Sequence, residues 1–440
     1  MQRVGLLLAA LVAAAAPALP AYAQTAAPAS ASATLGDRAA QLPALLKGEL
    51  DPATYFTPEF LAAVPPAQLN VISASLVSQH GAPQAVDRVD AAETWRGVVY
   101  IRFERSVGQF EMLIDPAQGS RVFGLRITGF SAISDSFPKV AAEVAALPGT
   151  TSLVVAQLDT KSPTELLAVN PDQPFAIGST FKLYILAELA DQTHSRKRAW
   201  DSVVPLSRRS FSSSATGNWP LGAPVTIHSL AGWMISVSDN GATDTLLAAL
   251  GRDAVGRKLA SIGNSVAPRN LPFLNTVEAF ALKAENNAEL RTAFLAADEA
   301  EQRRLLASAA DRLTLDAVTP DSFTGKPLHI DTVEWFASGR DLIRLLDHLR
   351  TIPSPEARAI MAINPGIGSD AAARWQYLGY KGGSEPGVIS MSFLLQSRAG
   401  RWYGVTGSWN NASAPVDNAK FVGLMQRLVD LVAQQDLAKP

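Results

Sequence analysis

The chain has 440 residues, 38 Lys and Arg against 40 Asp and Glu, a formal charge of −2, 48% hydrophobic residues and no cysteine. The missing cysteine excludes disulfides, a thiol nucleophile, Fe–S clusters, Cys-ligated zinc and the lipidated cysteine of bacterial lipoproteins. The balanced charge leaves no electrostatic footprint for nucleic acid, and the apolar content is enough to bury cores in two or three domains.

The N-terminus carries Arg3, an apolar run from Val4 to Ala16, a break at Pro17 to Pro20, and Ala21-Tyr22-Ala23. A charged end, a short apolar run and small residues at a cleavage site predict that residues 1–23 are a secretory signal cut near Ala23. The expected location is therefore periplasmic or fully secreted. Residues 24–40 are rich in Ala, Ser and Thr and are expected to be a linker.

Residues 41–135 are expected to form a small α+β domain. Phe56, Phe60, Leu61 and Val64, then Leu69, Ile72 and Leu76, recur at helical spacing up to His80-Gly81-Ala82-Pro83. Strands follow over Thr94–Glu104, Gly108–Ile114 and Arg121–Thr128, where Val99, Ile101 and Phe103 alternate with polar neighbours. Helices followed by a curled antiparallel sheet resemble, in shape alone, a steroid-isomerase or nuclear-transport-factor-like module.

Residues 136–440 are expected to form a second domain. Pro138 opens a helix carrying Val140, Val144 and Leu147. Ser152–Leu158 and Glu165–Val169 read as one hairpin, and Val388–Leu395 with Trp402–Trp409 as another. The stretch between is mostly helical. A last helix presents Phe421, Leu424, Met425, Leu428, Val429 and Val432 on one face. Strands at both ends of the domain are satisfied by one antiparallel sheet covered by the terminal helices, with a helical subdomain inserted.

Three short motifs lie in this second domain: Ser179-Thr180-Phe181-Lys182, Ser238-Asp239-Asn240 and Lys381-Gly382-Gly383. Positions i and i+3 share a helix face, so Lys182 is expected to point its amine at the Ser179 hydroxyl. A hydroxyl is a weak nucleophile until a base takes its proton, and a lysine serves once burial and a nearby cation lower its pKa. Ser238 would relay a proton to the leaving group, and Asn240 would hold Lys182 and a substrate amide. Lys381 would attract a substrate carboxylate and depress the pKa of Lys182. The backbone N–H groups of Ser179 and Ser384 would face the oxyanion, while Gly382 and Gly383 let a substrate approach the backbone.

With 36 Ser and 11 Lys in the chain, roughly one S-x-x-K is expected by chance, and two occur. The other, Ser136 to Lys139, contains a proline and sits at the domain junction. A serine and lysine at this spacing describe an N-cap and a snorkelling side chain equally well. The ordered trio is what singles out Ser179.

The trio resembles the S-x-x-K, S-D-N and K-T-G set of class A β-lactamases and penicillin-binding proteins. Phe175 to Leu183, Asn218 to Thr226, Leu230 to Asp244, Pro272 to Thr276 and Glu334 to Ser338 are similar to segments of class A-type β-lactamase-like serine hydrolases, in the branch with an N-terminal isomerase-like domain. The resemblance implies an α+β, β-lactamase/transpeptidase-like fold with a five-stranded antiparallel sheet. It implies an acyl-enzyme formed from a small-molecule β-lactam, ester or peptidoglycan-like amide, with no metal or cofactor. A penicillin sensor, a DD-peptidase and an esterase remain alternatives within the same superfamily. Two departures stand out. Gly382 replaces the usual Ser or Thr, which removes a hydroxyl for a substrate carboxylate. No E-x-x-L-N lies between Gly241 and Tyr380, so the deacylating water lacks its usual base, for which Glu278 and Glu334 are the candidates.

Overall fold

The computed structural model describes residues 34–133, 135–318 and 325–437. The expected signal segment lies outside the described residues. The chain divides between Asp135 and Ser136 into two units.

In the first unit, helix α1 (Leu35–Leu46) begins inside the stretch expected to be a linker. That expectation is corrected here: Thr34 and Asp37 form a reciprocal capping box, and Leu35, Ala39, Leu42 and Leu46 bury one face. Local caps and an apolar stripe outweigh an Ala/Ser-rich composition. The predicted helical run after it is cut into α2 (Pro52–Tyr55), α3 (Pro58–Ala63) and α4 (Pro66–His80), each with proline as its first residue. Strands β1 (Pro83–Glu93), β2 (Arg96–Phe103), β3 (Ser106–Asp115) and β4 (Arg121–Ala132) form an antiparallel meander in that order. Strand β1 is not legible in the sequence because its register slips between Val86 and Arg88, so its apolar residues lose period two. The helices and the sheet enclose an apolar cavity of about 360 Å³ lined by Leu45, Phe56, Phe60, Leu69, Ile72 and Ile127.

The second unit opens with α5 (Phe137–Ala145), whose N-cap is Ser136, so the other S-x-x-K is a helix start. Its sheet runs in the order β11-β12-β13-β5-β6, all neighbours antiparallel, from β5 (Thr150–Gln157), β6 (Thr164–Val169), β11 (Tyr377–Glu385), β12 (Val388–Gln396) and β13 (Trp402–Asn410). Between these stretches of chain come β7 (Phe175–Ala176), α6 (Lys182–His194), β8 (Val203–Pro205), β9 (Pro224–Thr226), α7 (Ile227–Ser236), α8 (Asn240–Leu250), α9 (Arg252–Ile262), α10 (Thr276–Lys283), α11 (Ala288–Ala296), α12 (Glu299–Ser308), β10 (Phe336–Ala337), α13 (Gly339–Thr351) and α14 (Pro355–Met361). Helix α15 (Asn418–Leu437) closes the chain.

One sheet face packs Phe393, Val405 and Met391 against Val140 and Val144 of α5 and Phe421 and Leu428 of α15. The other packs Val154, Ala156 and Leu394 against Ile343 and Leu346 of α13 and Leu183 of α6. Fully buried strands read as near-continuous apolar runs, which is why β5 and β12 are visible in the sequence. Strand β11 is not, because Gly379, Gly382, Gly383 and Lys381 interrupt it. The third motif therefore sits within a strand of its own.

Candidate functional site

Ser179 lies in a 3₁₀ turn, Gly178–Phe181, that leads straight into α6. Neighbouring chain holds this turn on several sides. The Ile177 N–H donates to the Trp335 carbonyl at 3.0 Å. The Asn410 amide brackets Ala176, accepting from its N–H at 2.8 Å and donating to its carbonyl at 3.0 Å. Thr180 Oγ1 donates to the Ser390 carbonyl on β12 at 3.3 Å. Gly178 has φ +47°, a left-handed conformation that glycine adopts without strain. Ser179 borders a cleft of about 570 Å³, together with Ser238, Asn240, Lys381, Gly382, Gly383 and Ser384. The three motifs, separated by 59 and 143 residues, therefore converge on one cleft.

Lys182 is fully buried as the first residue of α6. Its Nζ lies 2.7 Å from the Ser238 carbonyl, 3.1 Å from Ser238 Oγ and 2.6 Å from Asn240 Oδ1. Among the described residues its hydrogen bonds thus run to the second motif and not to the Ser179 hydroxyl, which corrects the contact expected from helix spacing. Burial first, and the Lys381 charge second, push its pKa well below the usual lysine value. A neutral amine has two N–H donors and one lone pair. Here Nζ donates to all three oxygens, the pattern of the ammonium, and the lowered pKa lets it lose one proton and expose that lone pair.

Ser238 sits between α7 and α8 with φ +58°, which aims both its carbonyl and its hydroxyl inward. Lys381 Nζ reaches the same Oγ at 3.0 Å and donates to the Gly382 carbonyl at 2.6 Å. Burial lowers the pKa of Lys381 to about 7. One hydroxyl is therefore shared by two buried lysines of depressed basicity.

Two buried carboxylates hold this arrangement. Asp239 accepts from Ala215 N, Thr216 N, Thr216 Oγ1 and Ala242 N, at 2.6 to 2.9 Å, tying loop 213–216 to the start of α8. Asp244 accepts from Thr276 N at 2.8 Å and Thr276 Oγ1 at 2.7 Å, docking α10 on α8. Burial raises the Asp244 pKa to about 6.

Side chains alternate along β11, so Lys381, Gly383 and Glu385 share one face and Tyr380 and Gly382 the other. A β-carbon at residue 382 would lie 2.1 Å from the Tyr380 hydroxyl. The phenol thus occupies the space beside the bare Gly382, where the sequence suggests a missing hydroxyl. Of the two acids singled out in the sequence, Glu334 lines the cleft and Glu278 does not. Glu278 closes the capping box of α10 with Asn275 and pairs with Arg252 at 2.6 Å. Its carboxylate is engaged, and the expectation of a water base there is withdrawn. Glu334 is bonded to the Lys283 ammonium at 2.7 Å, and the same ammonium meets Glu385 at 2.5 Å. Sequence reading missed Glu385 and Lys283; strand parity from Lys381 points to the former, and nothing local to the latter.

Residues 136–323 match the model of a β-lactamase enzyme family. No curated protein matches the chain. Among solved structures, one similar protein is a point mutant of PBP-A in an acyl-enzyme complex with penicillin G: 16% identical, over 69% of this chain and 96% of that one, TM-score 0.47. Another is a β-lactamase from Sphaerobacter thermophilus: 18% identical, 69% and 98% covered, TM-score 0.47. A third is a β-lactamase from Chitinophaga pinensis: 15% identical, 68% and 97% covered, TM-score 0.46.

Proposed function

We infer that the second unit, with its family match and its β-lactamase/transpeptidase-like fold of a five-stranded antiparallel sheet packed between helices, works at the cleft that Ser179 borders. We propose that it is a serine hydrolase that builds an acyl ester on Ser179 Oγ from a β-lactam, an ester or a related amide. The observation that carries this reading is the convergence of Lys182 Nζ and Lys381 Nζ on Ser238 Oγ, at 3.1 and 3.0 Å, in the cleft bordered by Ser179.

The neutral Lys182 amine takes the Ser179 proton as Oγ attacks the carbonyl carbon. The oxyanion that forms meets the N–H groups of Ser179 and Ser384. The C–N or C–O bond then breaks, and the Ser238 hydroxyl passes a proton to the leaving atom and is reprotonated from the lysine pair. Asn240 holds Lys182, and Gly382 and Gly383 leave the edge of β11 open to substrate. The Tyr380 hydroxyl takes the place of the side chain that residue 382 lacks. The first unit, helices and a four-stranded sheet around an apolar cavity, is read as the isomerase-like module of a two-domain hydrolase. Residues 1–23 are read as its export signal, and a mature N-terminus near Gln24 after expression in a bacterial host tests that.

A fluorescent penicillin and p-nitrophenyl acetate are the probes, followed by peptide mapping. The label is expected on Ser179 and absent from Ser179→Ala. Label at another residue, or label that survives the substitution, ends the proposal. A second reading, a sensor that acylates and stalls, is favoured by the absent E-x-x-L-N and the engaged Glu278. Its mark would be an adduct that persists for hours.

A further inference from the structure

Ser179 is flanked on two sides along β11. The Gly383 backbone packs directly on the nucleophile turn. Two residues to one side on the same strand face is Lys381, with Ser238 and Lys182. Two residues to the other side is Glu385, bonded to Lys283 of α10. Glu334 completes this second cluster. Its neighbour Trp335 is tied to the nucleophile turn twice, by the Ile177 N–H bond to its carbonyl and by stacking on Phe181 at 3.8 Å. Glu334 and Glu385 both line the cleft that Ser179 borders. Two carboxyls and one ammonium, brought together across 51 and 102 residues, are not used in the acylation step proposed above.

We propose that Glu385 is the general base that activates water for hydrolysis of the Ser179 acyl ester, with Glu334 and Lys283 as its positioning residues. This rests on the Ser179 reading above. The Glu385 carboxylate takes a proton from water as the water oxygen bonds to the acyl carbon. The oxyanion sits on the Ser179 and Ser384 N–H groups. The C–Oγ bond then breaks, and the proton held by Glu385 goes to Ser179 Oγ, which releases the carboxylic acid and restores both groups. One flank of Ser179 thus makes the ester and the other cleaves it.

The electrostatics fit this division. Lys283 neutralises only one of the two acids. Burial alone would push Glu334 up, but the Lys283 ammonium and hydrogen bonds from Glu385 and Lys283 hold it below the usual carboxylate range. Burial, then the Glu334 charge, push Glu385 well above that range. The raised pKa makes Glu385 the more basic of the two carboxylates, which suits it as the proton acceptor of the pair. The ionisable groups around it are Glu334 from the segment before β10, Lys283 from α10 and Lys381 on its own strand. Behind Lys283 lie His329 and Arg291, the latter bonded to the Leu282, Lys283 and Ala284 carbonyls.

The test follows the Ser179 adducts of penicillin G and p-nitrophenyl acetate by intact mass, from pH 5 to 9, on the full chain. For Glu385→Gln, adduct formation is expected within about threefold of the parent rate. Clearance should slow by roughly 10²–10⁴-fold and lose its pH inflection. Glu385→Asp, with a carboxylate retracted by one methylene, should clear at an intermediate rate with the inflection kept, a pattern that a purely structural ion pair would not produce. Clearance at the parent rate in either folded variant overturns this inference and leaves the acyl-enzyme reading intact. A parent protein that forms no Ser179 adduct overturns both.

Discussion

Gly383 and Ser179 meet backbone to backbone: a β-carbon on residue 383 would lie 2.2 Å from the Ser179 amide nitrogen and 2.4 Å from the Ile177 carbonyl. Neither is a flexible chain end, so any side chain there must drive the strand and the Ser179 turn apart. Gly383→Ala is expected to lower the rate of Ser179 acylation by about 10²-fold or more, because a shift near 1 Å at the reacting atoms costs that much. Quenched-flow labelling with fluorescent penicillin checks this, with circular dichroism to confirm the fold. Parent-like labelling would show that β11 can retreat without moving the Ser179 and Ser384 N–H groups.

The buried Lys381 makes stability depend on pH in a defined direction. Its pKa falls from 10.5 to about 7 on folding. Below about pH 7 it is charged in both states, and the folded state bears the full cost of burying the charge. Between about 7 and 10.5 the folded state is neutral while the unfolded chain still binds a proton, so stability rises with pH across that window. Lys381→Met removes this dependence. We expect the substitution to raise the unfolding free energy by up to a few kcal/mol at pH 6 and by far less at pH 10. Denaturant titrations at the two pH values decide it. A constant difference would contradict the shifted pKa.

Tyr380 bears on substrate choice. Its hydroxyl fills the space next to the bare Gly382, and burial raises its pKa to about 12, so it stays a neutral donor. Tyr380→Phe should raise KM for penicillin G, which carries a carboxylate, by about tenfold, the worth of one hydrogen bond to a charged group. For p-nitrophenyl acetate, which has none, KM should stay within twofold. Equal changes for both substrates would remove the phenol from substrate recognition.

Asp239 is saturated by four donors from two elements. Asp239→Asn retains one acceptor oxygen, but its NH2 group must face a backbone N–H, so a loss of about 1–3 kcal/mol is expected. Asp239→Ala leaves all four donors unpaired in the interior and should cost more, about 3–5 kcal/mol. Urea unfolding measures both. Alanine no worse than asparagine would mean that loop 213–216 finds other partners.

Much of the site is legible locally. The Ser179–Lys182 spacing, the Ser238–Asn240 triplet and Lys381-Gly382-Gly383 are chemical patterns within one turn or one strand, and the structure brings all three to one cleft. The apolar stripe of α15 and the hairpin β12–β13 are legible because their periods follow the geometry of helix and strand. Helix α1 was hidden by its composition, β1 by its bulge and β11 by its glycines, each a place where a cap, a register slip or a close backbone approach overrode the average signal.

By itself, then, the amino-acid order determined the class of fold and which groups the proposed acyl ester would use, since both rest on short-range periodicity and residue type. Tertiary structure decided which groups meet. It turned Lys182 toward Ser238, took Glu278 away to cap a helix, set the Tyr380 hydroxyl beside Gly382, and joined Lys283, Glu334 and Glu385. Those contacts depend on strand register and on packing between segments tens of residues apart, and no local pattern encodes them.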